Sequence, residues 1–254
     1  GARRRYRPVT PKMIKQLSYE LGIIEEMNLA AYFLIVHDIV EFCAREGIPC
    51  VGRGSAADSL VSYVLRITHG CPIEHDLYFE RFLNRERKGA PDIDLDLCWR
   101  RRDKVLEYVY QRYGAARVAM ICTFQHFCAR GAFREVAKVF GLPAGEIQRM
   151  SRGLPGYGSL HSALQDGSRP EASTLPRDEN LYERILTAAK AIDGLPRHLA
   201  THPCGIVVGA HPLTERTALE TAPKGLRVTQ YDMHGVEDVG LLKIDLLGQR
   251  SLSV

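Results

Sequence analysis

The chain has 254 residues, 45% apolar and 25% charged, which is enough ordinary globular sequence for one large or two modest domains. Lys and Arg exceed Asp and Glu by 34 − 30 = 4, no apolar run approaches the ~18 residues of a membrane span, and the basic start lacks the apolar stretch of a signal peptide. The seven cysteines are odd in number and show no CxxC pair, which excludes a disulfide frame or a zinc ribbon and fits a reduced compartment.

In chain order, residues 11–27 carry Ile14, Leu17, Leu21 and Ile24 at helical spacing. Residues 30–45 read as a second, more buried helix ending near Gly47. A short strand at 48–51 runs into Gly52-Arg53-Gly54-Ser55, and residues 56–65 are expected to continue as a helix. Residues 79–83 lead through a basic stretch to Pro91-Asp92-Ile93-Asp94-Leu95-Asp96-Leu97. A helix follows at 102–113, a strand at 118–122, and a helix at 129–140 closed by Gly141. Residues 153–176 are rich in Gly, Ser and Pro and read as a loop. Residues 181–195 are helical, and 205–209, 227–231 and 240–247 are strands. The pattern predicts an α+β domain, residues 1–123 and 201–254, interrupted by a mainly helical insertion at 124–200. The chain ends at Val254 directly after a strand-like run and reads as an excised piece of something longer.

Three pieces carry chemistry. Alternation along a strand puts Asp92, Asp94 and Asp96 on one face and Ile93, Leu95 and Leu97 on the other. Neighbouring like charges destabilise a sheet, and a divalent cation held by oxygen ligands would offset that cost. An acidic outer face on an edge strand is the plainer alternative. Gly52-Arg53-Gly54-Ser55 between strand and helix suits a phosphate cradle, because glycine admits close backbone approach and a helix start offers unpaired N–H groups. Ser55 could cap that helix or donate to a phosphate, and Arg53 could add a bidentate contact. The Gly-Lys-Ser/Thr element of a Walker loop is missing. Lys243 and Asp245 share a face of an otherwise apolar strand, and a buried Asp245 needs a partner or a metal. A salt bridge between them is the alternative, although residues two apart on a twisted strand seldom meet squarely. Together the pieces suit two-metal nucleotidyl transfer. The residues alone do not choose between Asp92 with Asp94 and Asp94 with Asp96 as the metal pair.

The stretches 51–63 (VGRGSAADSLVSY), 79–84 (FERFLN), 91–96 (PDIDLD) and 242–248 (LKIDLLG) resemble the bacterial C-family DNA polymerases, the replicative alpha subunits and their error-prone relatives. The resemblance implies a polymerase-beta-like nucleotidyltransferase palm at 1–123 and 201–254, interrupted by a thumb at 124–200. It implies Asp92, Asp94 and Asp245 as catalytic, metal-binding aspartates for two Mg²⁺ ions, with Asp96 in support. Arg53, Gly54, Ser55, Arg81 and Lys243 would contact the incoming triphosphate, with Arg87 a further candidate. Arg130 and Arg134 on one helical face, and His202, would contact DNA. Asp58, where Gly or Asn is usual, would favour the helix dipole but repel a triphosphate if turned inward. The implied partners are primer–template DNA, dNTP and, in the full-length protein, a sliding clamp and other replisome or mutasome subunits, with no membrane, in the bacterial cytoplasm. A non-templated nucleotidyltransferase and a catalytically inactive nucleic-acid-binding module are the competing readings.

Overall fold

In the computed structural model, which describes residues 1–86, 91–168 and 179–253, the chain divides into Gly1–Thr123 with Thr201–Val254 and a second unit, Phe124–Ala200. The first unit opens with α1 (Ala2–Arg5) and α2 (Pro11–Glu26). Pro11 stands at the start of α2, where its missing N–H costs nothing, and the Thr10 hydroxyl accepts from Met13 N. The expected apolar stripe on this helix is rotated. Ile14 and Leu21 are exposed, whereas Glu20, Ile23 and Ile24 form the buried face.

α3 (Ala30–Arg45) buries Tyr32, Phe33, Val36, Ile39, Val40, Phe42 and Cys43, the wide apolar surface of a core helix. β1 (Cys50–Arg53) then enters a 3₁₀ turn, Gly54–Asp58, and α4 (Leu60–Val64) follows. The continuous helix expected over 56–65 is therefore broken. Ser59 adopts an extended conformation (φ −99°, ψ 125°), and its hydroxyl caps the new helix by accepting from Ser62 N.

β2 (Ile93–Cys98) has the expected alternation, with Ile93, Leu95 and Leu97 fully buried. Burial of each such side chain stabilises the fold by roughly 1.5–3 kcal/mol. α5 (Arg102–Tyr113) packs on α3, where the Tyr108 ring stacks on Phe42 with centroids 3.8 Å apart. β3 (Val118–His126) and β4 (Pro196–Val208) both run longer than their apolar cores suggest. β5 (Leu219–Thr221) and β6 (Arg227–Thr229) form an antiparallel pair.

The second unit holds α6 (Ala129–Val139), α7 (Ala144–Met150), α8 (Leu160–Gln165) and α9 (Glu179–Ile192), gathered around Phe133, Ile147, Met150, Leu160 and Ile185. α8 lies inside the stretch read as a loop. It is started by Ser159, whose hydroxyl accepts from His161 N, and anchored by buried Leu160. The chain returns to the first unit and closes with α10 (Met233–Asp238) and β7 (Lys243–Gln249).

The sheet has the order β1-β2-β7-β4-β3-β6-β5. It is mixed: β2 runs parallel to β7, β1 antiparallel to β2, and β4 antiparallel to β7. The architecture is α+β, and among the described residues no single helix is long and apolar enough to cross a membrane.

Candidate metal centre

The parallel register of β2 and β7 sets Asp94 opposite Asp245. Two residues far apart in sequence thereby occupy adjacent strands, on the same face. Asp92, immediately before β2, joins them, and one carboxylate oxygen from each of the three lies within 4.8 Å of the others. Asp96 stands outside this group. Its carboxylate accepts from Gln249 Nε2 at 3.2 Å and lies 3.5 Å from Arg53 Nε.

The surroundings of the three acids differ. Asp245 is buried at 8% exposure, Asp94 is half-buried and Asp92 is exposed. Asp245 Oδ1 is buried without a hydrogen-bond partner among the described residues. A buried carboxylate oxygen left unpaired is costly, and three converging carboxylates with one orphaned oxygen form an all-oxygen donor set suited to a hard divalent cation. Burial, then the charges of Asp92 and Asp245, push the Asp94 carboxyl from its ordinary 3.8 up to about 6, against the opposing pull of Arg53 and Lys243.

That shift sets a pH dependence. A carboxyl that holds its proton more tightly in the folded state gives stability that is complete below the unfolded value near 4 and lost as pH rises through about 6. Metal-free protein is expected to lose on the order of 2–3 kcal/mol from this group across that window, and Asp94→Asn is expected to flatten that limb. Melting temperatures of both proteins in chelator between pH 4 and 7 check this, and parallel profiles would contradict it.

Lys243 and Asp245 do meet, contrary to the expectation for residues two apart on one strand. The Lys243 ammonium donates to Asp245 Oδ2 at 2.6 Å and to Asp92 Oδ2 at 3.1 Å. The contact forms because the ammonium is confined, at 7% exposure, among the acids of the neighbouring strand and its own. Burial works against its charge, yet the bonds to Asp245 and then Asp92 raise its pKa overall.

Gly54 has φ +68°, the left-handed region where glycine alone is unstrained, and a Cβ there would face Asp94 Oδ2 at 3.9 Å. The Gly-Ser turn thus lies beside the carboxylates. Arg53 is 3.7 Å from Asp94 through Nε. Ser55 is half-buried. Gly52 is fixed by a close approach: its N donates to Ile67 O at 2.7 Å, and a Cβ would sit 2.5 Å from that same oxygen.

The start of α4 is not free for a phosphate. Leu60 N and Val61 N donate to the Glu20 carboxylate at 3.0 and 2.9 Å, the Ser59 hydroxyl donates to it at 2.8 Å, and Ser62 N is taken by Ser59. Glu20 is fully buried, and burial raises its pKa against these bonds.

The remaining candidates are dispersed, and of them His202 alone adjoins the carboxylates among the described residues. Arg81 Nε is 3.8 Å from Asp58, and the Arg81 side chain is mostly exposed. Asp58 is buried rather than turned to solvent. His202 sits beside Asp245, since a Cβ on Gly205 would fall 3.0 Å from its Nδ1 and 3.2 Å from Asp245 Oδ1. His202 Nδ1 accepts from Gly205 N at 2.7 Å and Cys204 N at 3.2 Å, which places the ring proton on Nε2, and burial lowers its pKa. Arg130 donates from Nε and Nη2 to Leu154 O at 2.9 and 2.6 Å, whereas Arg134 is exposed. Arg87 lies outside the described residues.

Two supporting residues escape a reading of the sequence. The buried Tyr32 hydroxyl donates to Lys243 O at 2.8 Å and accepts from Ile93 N at 3.1 Å, so one side chain ties together the starts of β2 and β7. Its only sequence signal is a tyrosine, with its polar tip, in an apolar helix. Tyr32→Phe would orphan both backbone groups and is expected to cost about 1–3 kcal/mol, read as a lower urea midpoint. An unchanged midpoint would show the hydroxyl to be idle. Arg102 bridges β7 and the end segment of β4 by donating to Leu246 O and Pro203 O, each at 2.6 Å.

A mixed α+β sheet that converges three carboxylates on adjacent strands beside a Gly-Ser turn defines the class of protein. The chain belongs to the family described as bacterial DNA polymerase III alpha NTPase domain, whose model matches residues 1–248. That description names an NTPase domain and not a palm or thumb. The chain is 42% identical over 255 residues to the DNA polymerase III subunit alpha of Bacillus subtilis (strain 168), covering 100% of this chain and 23% of that protein. It is 41% identical to the error-prone DNA polymerase of Symbiobacterium thermophilum, again over 100% of this chain and 23% of the relative. The error-prone DNA polymerase of Pseudomonas savastanoi pv. phaseolicola is 39% identical, with 24% of it covered. The chain thus spans about a quarter of the length of these relatives.

Proposed function

We propose that this chain forms the nucleotidyl-transfer centre of a DNA-directed DNA polymerase, with the unit bearing the carboxylates as a polymerase-beta-like palm and residues 124–200 as a thumb. The reading is carried by the in-register pairing of Asp94 with Asp245, with Asp92 alongside. It is supported by the names of the relatives, DNA polymerase III subunit alpha and error-prone DNA polymerase.

Asp92, Asp94 and Asp245 are the residues that would hold two Mg²⁺ ions, whose chemistry is to lower the pKa of a primer 3′-hydroxyl and offset charge on a departing pyrophosphate. The chain's own groups do the rest. Gly54 lets the backbone approach the triphosphate of the incoming dNTP, and the Ser55 hydroxyl donates to a phosphate oxygen. Arg53, Lys243 and Arg81 supply the cations that match its charge. His202, neutral and carrying its proton on Nε2, offers a donor beside Asp245. On the thumb, exposed Arg134 meets the phosphate backbone of primer–template DNA, while Arg130 is engaged at Leu154 and contributes mainly to the shape of that surface. A sliding clamp and other replisome or mutasome subunits would act on the full-length protein.

The test is single-nucleotide incorporation by the full-length protein with Mg²⁺ and a defined primer–template. Addition of only the templated nucleotide is the expected result. Addition without regard to template would favour the small-molecule or RNA-end transferases instead, and DNA binding with no addition would favour an inactive binding module.

A further inference from the structure

We propose that Lys243 and Arg53 are internal counter-ions of the carboxylate cluster, displaced one for one by divalent cations and delivered by that displacement to the triphosphate. The inference rests on the reading of Asp92, Asp94 and Asp245 as the metal site.

Three carboxylates whose oxygens lie within 4.8 Å of one another do not stay ionised together without positive charge nearby. Here the chain provides it. Lys243 Nζ holds Asp245 Oδ2 at 2.6 Å and Asp92 Oδ2 at 3.1 Å. Arg53 Nε covers Asp94 Oδ2 at 3.7 Å. Each acid of the cluster is therefore already matched to a cation of the same chain.

The two contacts differ in strength. Arg53 is 46% exposed and stands at ion-pair distance, so it yields readily. Lys243 is buried and hydrogen-bonded twice, so a cation that engages Asp92 and Asp245 competes directly with its ammonium. Asp245 Oδ1, buried without a partner among the described residues, is the oxygen open to an arriving cation first. No proton need leave, because the lysine remains an ammonium and only changes partner.

The acid outside the cluster completes the device. Asp96 Oδ1 is 3.5 Å from Arg53 Nε and is itself fixed by Gln249 Nε2 at 3.2 Å. When Asp94 is claimed by a cation, Asp96 keeps Arg53 tethered at the Gly-Ser turn instead of losing it to solvent. Cation binding and triphosphate binding are then coupled, each favouring the other by the same factor.

A triphosphate chelates metal by itself, so the decisive measurements use Mn²⁺ alone, without nucleotide. In the full-length protein, Lys243→Met is expected to bind Mn²⁺ about tenfold or more tightly than the wild type, by calorimetry or the loss of the free Mn²⁺ resonance signal. Arg53→Met is expected to give a smaller gain. Wild-type crystals soaked in Mn²⁺ should show anomalous density at the carboxylates, with Lys243 Nζ withdrawn beyond hydrogen-bond distance from Asp245. This readout separates displacement from a mere loss of repulsion and does not depend on any variant folding. Mn²⁺ seated at the cluster with Nζ still on Asp245, or an unchanged affinity in a folded Lys243→Met protein, overturns the exchange but leaves the metal site standing. Absence of Mn²⁺ from the carboxylates in both proteins overturns the metal-site reading and this inference with it.

Discussion

Asp245→Asn in the full-length protein is expected to reduce nucleotide incorporation roughly a thousandfold, the several kcal/mol that metal-assisted charge stabilisation contributes to such a transfer. Asparagine keeps the shape of the side chain and can still accept from Lys243 at Oδ1 or its equivalent, so β7 and its pairing with β2 should persist. What disappears is the negative charge at the most buried of the three acids, the one whose Oδ1 is otherwise unpartnered. Binding to primer–template should be kept, because the residue faces the other acids of the cluster. Single-turnover incorporation alongside a DNA-binding titration checks this. A parallel loss of DNA affinity would mean that the residue supports structure rather than chemistry.

Glu20→Ala is expected to lower stability by about 3–5 kcal/mol, the range for removing one partner from a buried charged network. The carboxylate accepts from Ser59 Oγ, Leu60 N, Val61 N and Gln16 Nε2, and the first three donors are buried with no water to turn to. Glu20→Gln retains one acceptor oxygen but confronts backbone donors with an NH₂ group, so it should fall between wild type and alanine. Because these bonds fix the start of α4, the turn Gly54–Asp58 should loosen as well, and nucleotide affinity should drop before folding is lost. Chemical unfolding of the three proteins, with nucleotide binding measured under native conditions, follows both effects. A midpoint for alanine within experimental error of wild type would refute the anchoring role.

Much of this site is legible in the amino-acid order, and the limits have physical causes. Alternation alone puts Asp94 and Asp96 on the open face of β2, because the side-chain period of a strand admits no other outcome once Ile93, Leu95 and Leu97 are buried. The same rule puts Lys243 and Asp245 together. Alternation says nothing about which strand lies next to which, so the choice of Asp94 opposite Asp245 becomes visible only in the sheet register. Glu20 left a signal that was easy to miss: it falls three residues after Leu17 and four before Ile24, an acid on a helix's apolar stripe. Strand, Gly-Ser turn and helix imply a free helix start, but at α4 the group that occupies it comes from 40 residues earlier in the chain. The break at Ser59 follows from the same competition, since a serine hydroxyl that both caps Ser62 and donates to Glu20 favours an extended backbone over a helical one.

The parallel neighbours β2 and β7 also dictate when the site can exist during synthesis. Lys243 and Asp92, which touch, are separated by 151 positions, and the second unit is made in between. A strand pair of such long closure forms late and slowly. Until β7 leaves the ribosome, the acids of β2 have neither their lysine nor their third carboxylate, and the edge of β2 that β7 will cover stays open. Residues 124–200, whose own core is local, can fold in that interval, so the unit bearing the carboxylates is completed after them.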